Sequence, residues 1–198
     1  MFLPRKPSKA EIERFVSSQG ELPFSYEEVG ATRGEVLPEG YVVDRYRVKL
    51  GEGEEAYERA GDALRSWRQF DLGWVNLCPV DASIRAGTTV AVLARHAGFW
   101  SLGSARIIYL VEESSAVERF GFAYGTLPGH AERGEERFLV EHDLRSGAVS
   151  YDVLAFSRPN HPLAWLGYPF VRVLQGRFAR DSKEAMKRAV DPGPPGRA

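Results

Sequence analysis

The stretch FGFAYGTLPGHAERGEERFLVEHD, residues 120–143, decides the fold because it joins two strand patterns through one turn. Aromatic and small residues alternate in its first run, which places Phe120, Phe122 and Tyr124 on one face of a strand. A Pro-Gly turn follows, in a connection of roughly seven residues where a tight hairpin needs about two. The run ERFLVEHD then returns as a second strand. The stretch therefore predicts an antiparallel hairpin with His130 at its corner.

Further runs on both sides of this hairpin are rich in β-branched and aromatic residues, and turns containing glycine separate them. These features are typical of an antiparallel meander. The runs are GWVNLCPV (73–80), TTVAVLARH (88–96), FWSLGSARIIYLVEE (99–113) and GAVSYDVLAFS (147–157). With the hairpin they predict at least five strands, and YVVDRYRVKLG (41–51) alternates well enough to form another.

Helical patterns lie before and after the meander. Ser8 and Glu11 match a capping box at the start of a short helix, and residues 54–70 repeat apolar side chains at threes and fours. A longer stripe of the same spacing follows Asn160, which is suited to capping a C-terminal helix, and Pro169 should kink that helix. Because a sheet must bury its apolar face, we predict an α+β fold. In it a curved antiparallel β-sheet is wrapped around a long C-terminal α-helix, with one or two short helices nearer the N-terminus.

The chain has 198 residues, of which 43% are hydrophobic, and this is enough for one well-buried domain. We predict an N-terminal helical extension over residues 1–23 and a single domain over residues 24–190. The Pro/Gly-rich residues 191–198 are predicted to form a disordered tail.

Composition excludes several classes of function. The net charge of -1 argues against a partner that is a nucleic acid, and we expect none. The single cysteine, Cys78, lies in an apolar run and is interpreted as a buried hydrophobe, and the 4 histidines show no metal-binding spacing. We predict no metal and no cofactor. The N-terminus lacks a signal-peptide core and no run is long enough to span a membrane, so a soluble, cytoplasmic protein is expected.

Several motifs occur together in a recognisable order. They are SYEEVGATRG (25–34), GW (73–74), ARIIY (105–109), FGFAYGTLPGHAERGEERF (120–138) and YDVLAFSRP (151–159). In these motifs the chain resembles uncharacterised protein family 0548, the DUF1990 domain, over roughly residues 26–188. That family is similar in pattern to the helix-grip group of START-like and birch-allergen-like proteins. The resemblance implies a sheet that grips a C-terminal helix around an apolar pocket, and it implies no particular reaction.

An apolar pocket of this kind predicts which residues form its walls. The aromatic wall residues are predicted to be Trp74, Trp100, Tyr109, Phe122, Tyr124 and Tyr151. Arg106, His130 and Glu136 would be the polar groups that orient a ligand. The alternative for the aromatic residues is a plain, filled core.

The same residues leave other interpretations open. His130 could transfer a proton, or it could be an exposed loop histidine or one that fixes the turn. Strand alternation turns one of Glu135 and Glu136 toward a buried face, where a carboxylate needs a partner, and a structural ion pair is the alternative to a ligand contact. The partners considered are Arg95, Arg106 and Arg119.

The leading hypothesis is therefore a protein that binds an apolar or amphiphilic small molecule, either lipid-like or aromatic. One alternative is an enzyme that uses His130 or Glu136 for proton transfer in the same cavity. A second is a structural or interaction module with a filled core. The basic face of the last helix is expected to be solvated, although weak contact with an anionic membrane surface is also compatible with it. The sequence does not specify an oligomeric state.

Overall fold

The structure is a computed structural model that describes residues 1–34, 36–96, 98–160 and 167–191. Within them the chain forms eight β-strands and three α-helices. The strands are β1 (Phe2–Leu3), β2 (Val42–Glu52), β3 (Val75–Cys78), β4 (Thr89–Arg95), β5 (Trp100–Glu113), β6 (Val117–Thr126), β7 (Glu132–Asp143) and β8 (Ala148–Pro159). The helices are α1 (Lys9–Gln19), α2 (Glu54–Arg65) and α3 (Tyr168–Val190).

All strands belong to one antiparallel sheet. Strands β3 to β8 form a meander, and β2 closes the order by pairing with the last strand, which gives β2-β8-β7-β6-β5-β4-β3. The short β1 pairs with the start of β5. The sheet is curved around α3, which confirms the predicted fold class.

The inner, concave face of the sheet carries the main core. Helices α2 and α3 pack on it, and the largest fully buried side chains there include Phe122, Phe138 and Tyr151. The hydroxyl of Tyr151 lies 3.0 Å from that of Ser182 on α3, so a buried hydrogen bond joins sheet and helix. The second half of α3 belongs to this core, with Ala179, Ser182, Ala185, Met186 and Val190 buried.

The outer, convex face carries a smaller core beneath α1. Here Ile12, Phe15 and Val16 of the helix pack against Leu93 and Leu102 of the sheet. The capping box predicted for α1 is confirmed, because the side chain of Ser8 accepts from the Glu11 amide and the Glu11 carboxylate accepts from the Ser8 amide.

Two local predictions are corrected. Pro169 lies in the first turn of α3, where no intrahelical donor is needed, so it causes no kink in the described helix. The connection between β6 and β7 is residues 127–131, shorter than predicted, because β7 already begins at Glu132. The helical residues predicted at 161–166 and the tail at 192–198 lie outside the described residues.

Candidate functional site

A cavity of about 240 Å³ lies between the inner face of the sheet and the first half of α3. One part of its wall is apolar, and the other part is built from hydrogen-bonded polar side chains. The apolar part consists of Phe70, Trp74, Val75, Val92, Ala94, Val171, Leu174 and Phe178. The cavity also borders Met1 and Phe2, whose side chains are partly exposed to solvent.

A single row across four strands provides the centre of the polar wall. Tyr124 of β6 pairs with Glu136 of β7, which pairs with Ala155 of β8, which pairs with Asp44 of β2. Neighbouring strands lie about 4.8 Å apart, so directly paired side chains on one face are in contact range. The small Ala155 leaves open space between the two carboxylates on either side of it.

The Tyr124–Glu136 pair is the most perturbed part of the row. The Tyr124 hydroxyl donates a hydrogen bond of 2.6 Å to Glu136 Oε2. The pKa of Glu136 is raised to about 7, chiefly by burial and also by the charges of Glu132 and Asp44, while the Tyr124 hydrogen bond opposes the rise. The carboxyl group of Glu136 therefore titrates close to neutral pH.

Glu132 lies two pleats along β7 from Glu136 and faces the same cavity. Its Oε1 accepts hydrogen bonds from Gln175 Nε2 at 2.7 Å and from the Ser157 hydroxyl at 3.4 Å. Burial raises the pKa of Glu132, and these two donors oppose the rise. Gln175 therefore ties the first half of α3 to the polar wall.

Asp44 ends the row at the edge strand, where Arg172 of α3 neutralises it. Two guanidinium nitrogens of Arg172 donate to the two Asp44 oxygens at 2.5 and 2.7 Å. This bidentate pair lowers the pKa of Asp44 and raises that of Arg172. Arg172 is an exception to the prediction of a solvated basic face on the last helix, because it is two-thirds buried in this contact.

His130, in the β6–β7 connection, lines the cavity, and its Nδ1 atom contacts the main chain of Glu132. Its Nδ1 lies 3.1 Å from the Glu132 amide nitrogen and 3.0 Å from the Glu132 carbonyl oxygen. Burial lowers the pKa of His130 to about 4, so the ring is neutral at neutral pH. No hydrogen bond joins His130 to Glu136 within the part of the chain that the structure describes. His130 fixes the turn and packs its ring against Gly103.

The predicted wall residues separate into three groups. Trp74 and Tyr124 line the cavity together with His130 and Glu136. Phe122 and Tyr151 lie deeper, in the packed core below it. The remaining three, Trp100, Arg106 and Tyr109, do not line the cavity and lie on the outer face of the sheet.

The contacts of these three outer residues are structural. Arg106 donates to the carbonyls of Gln19, Gly20 and Leu22 at the end of α1. Tyr109 hydrogen-bonds Thr32 at 2.7 Å. A register shift between Ile107 and Tyr109 marks a β-bulge, which turns Tyr109 away from the face that Ile107 shares with the cavity side. That extra residue leaves no clear signal in the alternation of the sequence.

Glu135 is buried and Glu136 is partly buried at the cavity, whereas alternation predicted one glutamate on a buried face. Glu135 faces outward and is 2% exposed because the segment before β2 covers it. Its carboxylate accepts from the Tyr26 hydroxyl at 2.8 Å, the Gly30 amide at 2.7 Å, and both the amide and hydroxyl of Thr32. The suggested partners Arg95, Arg106 and Arg119 bind neither glutamate; Arg119 pairs instead with Glu113 and Glu141.

Sequence reasoning missed most of the polar wall. Asp44 and Tyr46 could have been found from the alternation of β2, which places both on the face of Val48 and Leu50. Glu132 shares the face of Glu136 by the same rule. Gln175 and Arg172 carry no such signal, because helix periodicity shows which side is apolar but not which polar residue faces a partner.

Within the described ranges of the chain, no group of three or more His, Cys, Asp or Glu side chains could hold a metal ion. No helix in those same ranges is long and apolar enough to cross a membrane.

An antiparallel sheet curved around a long C-terminal helix, with a cavity between them, defines the helix-grip class of folds. Solved structures of this class share the architecture of the chain. The protein TTHA0849 from Thermus thermophilus has a TM-score of 0.50 and 14% identity, covering 75% of this chain and 97% of that one. The Zhui aromatase/cyclase of a Streptomyces species has a TM-score of 0.50 and 10% identity, covering 76% and 94%. At these identities the likeness establishes the fold alone.

Within that class, the chain belongs to the DUF1990 family, described as a domain of unknown function, whose model matches residues 25–185. Its curated relatives are named UPF0548 proteins. One from Deinococcus radiodurans is 42% identical, covering 96% of this chain and 99% of the relative, and one from Dictyostelium discoideum is 38% identical, covering 96% of both. These names give no ligand or reaction, so the geometry of the cavity must supply the argument about function.

Proposed function

We propose that the protein binds an amphiphilic small molecule in the cavity between the sheet and α3. The observation that carries this proposal is the division of the cavity wall into an apolar part and a compact polar row. Ligand sites commonly combine a mostly apolar lining with a few oriented polar groups. The open space of about 240 Å³ also weighs against the alternative of a filled core.

The polar row gives such a ligand one orientation. Its polar group would contact Glu136 and Tyr124, and its apolar body would lie along Phe70, Leu174 and Phe178. Because α3 provides Leu174 and Phe178 while the sheet provides Glu136 and Tyr124, the ligand would contact both layers.

Native mass spectrometry of gently purified protein tests this proposal, followed by extraction and mass analysis of any bound molecule. We expect an adduct that Ala155→Leu abolishes, because the added side chain fills the space between Glu136 and Asp44. Ala10→Leu on the exposed surface of α1 is the matched control and should retain the adduct. Equal occupancy in both variants would contradict binding in this cavity, as would wild-type protein that takes up no small molecule.

A second candidate function is proton transfer to or from the bound molecule, and Glu136 is the residue that favours it. A carboxyl group with a pKa of about 7 can act as acid or base at neutral pH, and Glu136 lines the cavity. His130 is less suited to this role because its Nδ1 is used by the backbone and its pKa is lowered to about 4.

Incubation of the extracted molecule with wild-type protein and with Glu136→Gln separates binding from catalysis. An enzyme would change the mass or isotope content of the molecule in deuterated water, and Glu136→Gln would lose that change even at concentrations of the molecule that saturate the variant. Unchanged molecules after incubation with wild-type protein would leave binding as the function.

A further inference from the structure

The hydrogen-bond donors of the polar wall are largely used by its own carboxylates. Tyr124 donates to Glu136, Gln175 donates to Glu132, and Arg172 donates twice to Asp44. The Tyr46 hydroxyl, which also lines the cavity, donates to Asp44 at 3.2 Å. The groups of this wall that remain for a ligand are therefore mainly hydrogen-bond acceptors.

Two carboxylate oxygens at the cavity are open. Within the part of the chain that the structure describes, Glu136 has one hydrogen-bond donor, on Oε2, and Glu132 has its two side-chain donors on Oε1. Glu136 Oε1 and Glu132 Oε2 thus have no partner among those residues. Both belong to side chains that line the cavity and that repel each other electrostatically.

Positive charge near these oxygens is already committed. Arg172 is paired with Asp44 through both of its terminal nitrogens. The amino group of Met1, which also lines the cavity, donates to the carbonyls of Leu102 and Gly129. Glu132 and Glu136 consequently lack a cation of their own within the described ranges.

We propose that the ligand carries a basic nitrogen, as a protonated amine or amidine, on an apolar body, and that this nitrogen pairs with Glu136 on the wall that Glu132 also lines. This inference rests on the proposed binding function and names the chemical class of its ligand. A protonated nitrogen supplies hydrogen-bond donors for the two open oxygens. It also supplies a compensating positive charge for the carboxylates of Glu132 and Glu136. An anionic head group would meet carboxylates instead.

Binding of such a cation is coupled to proton release. Burial raises the pKa of Glu136 to about 7, so a bound cation that requires the carboxylate must displace a proton below that pH. Affinity should therefore increase as the pH rises from 6 to 8. The titratable and charged groups around Glu136 are Tyr124 on β6, Glu132 on β7, Asp44 and Tyr46 on β2, Tyr151 on β8, Arg172 on α3, and, farther along the cavity wall, His96, His130 and the amino group of Met1.

Isothermal titration calorimetry with three matched probes tests the proposal: n-octylamine, 1-octanol and octanoate. At pH 8 we expect the amine to bind about tenfold or more tightly than the alcohol, since a charged hydrogen bond is stronger than a neutral one. The amine should also release a proton on binding, seen as a dependence of the heat on the buffer. Its affinity should rise by up to about tenfold per pH unit below the pKa of Glu136.

Variants assign the effect to the two carboxylates. Glu136→Gln and Glu132→Gln should each weaken the amine about tenfold and leave the alcohol nearly unchanged. Glu58→Gln makes the same change on the exposed surface of α2 and should alter neither probe.

The outcomes separate this proposal from the binding function on which it rests. The basic nitrogen is refuted if octanol binds as tightly as the amine, or if octanoate binds more tightly than both. If Ala155→Leu blocks that binding, the cavity still binds ligands and the proposed binding function stands. If none of the three probes binds, both proposals fail.

Discussion

Tyr124 and Glu136 face each other directly across β6 and β7, and the tyrosine hydroxyl lies 2.6 Å from the carboxylate. Their pairing places a partly buried acid against a donor that is enclosed, with Phe138 two residues further along the same strand face. The hydroxyl and the carboxyl group therefore share a hydrogen bond whose effect on the pKa of Glu136 can be measured.

Tyr124→Phe should raise the pKa of Glu136 above its value of about 7, because the mutation removes the hydrogen bond that stabilises the carboxylate. Carboxyl-carbon NMR titration of labelled glutamate measures the change directly. Tyr57→Phe is a suitable control, since the Tyr57 hydroxyl has no hydrogen bond among the residues that the structure describes. A lower pKa in Tyr124→Phe would show that the hydroxyl does not donate to this carboxylate.

The contribution of Glu136 to the stability of the fold should be lost as the pH rises from about 4.5 to about 7. The pKa of Glu136 is higher in the folded state than in the unfolded chain, so the folded state is favoured by protonation at low pH, and that contribution is lost when the carboxylate ionises. The effect is up to about 3 kcal/mol. Urea unfolding of wild-type protein and of Glu136→Gln at pH 5, 6, 7 and 8 checks it. The stability of the variant relative to wild-type protein should increase as the pH rises from 5 to 7, and parallel curves would contradict the assignment.

The neighbouring glutamates should respond in opposite directions to the same substitution. Glu135→Gln leaves donors of Tyr26, Gly30 and Thr32 without a charged acceptor and should destabilise the fold by about 2 kcal/mol or more at pH 8. Glu136→Gln at the same pH should stabilise it. Hydrogen exchange should also speed up around residues 24–34 in Glu135→Gln alone. Similar effects of the two substitutions would contradict the difference in hydrogen bonding between Glu135 on the outer face of the sheet and Glu136 on the inner face.

The Arg172–Asp44 pair should couple α3 to the edge strand. Arg172→Gln leaves the mostly buried Asp44 without its cation and should cost about 1–3 kcal/mol, with a raised Asp44 pKa. Asp44→Asn alone and the double variant complete a double-mutant cycle. We expect the double variant to be more stable than the sum of the two losses predicts. Strict additivity would show that the contact contributes nothing to the fold.

Acid should destabilise the protein partly through His130. The folded-state pKa of about 4 lies below that of an unfolded histidine, so this residue's contribution is present above pH 6.5 and is lost as the pH falls toward 4. His130→Asn retains an acceptor for the Glu132 amide without a titrating ring. Its stability should fall less than that of wild-type protein between pH 6.5 and 4, measured by thermal unfolding.

The periodicity of apolar residues predicted the layers of the fold, because each helix or strand buries one face and the burial repeats along its whole length. The alternation of residues 120–143 fixes which side chains of β6 and β7 face α3, and Glu136 and Tyr124 followed from it. The site could be predicted only as far as such alternation remains regular. One inserted residue in β5 placed Tyr109 on the opposite face, and Arg172 was assigned to solvent because its partner, Asp44, is 128 residues away in sequence.

The two halves of helix α3 have different structural roles. Residues such as Ala185 and Met186 in its second half are buried in the core, while Leu174 and Gln175 in its first half roof the cavity. The cavity lining continues to Phe178 and Ala179, and the fully buried residues of α3 begin at Ala179. Substitution of Gln175 therefore changes the cavity wall without removing any of the fully buried side chains of the helix.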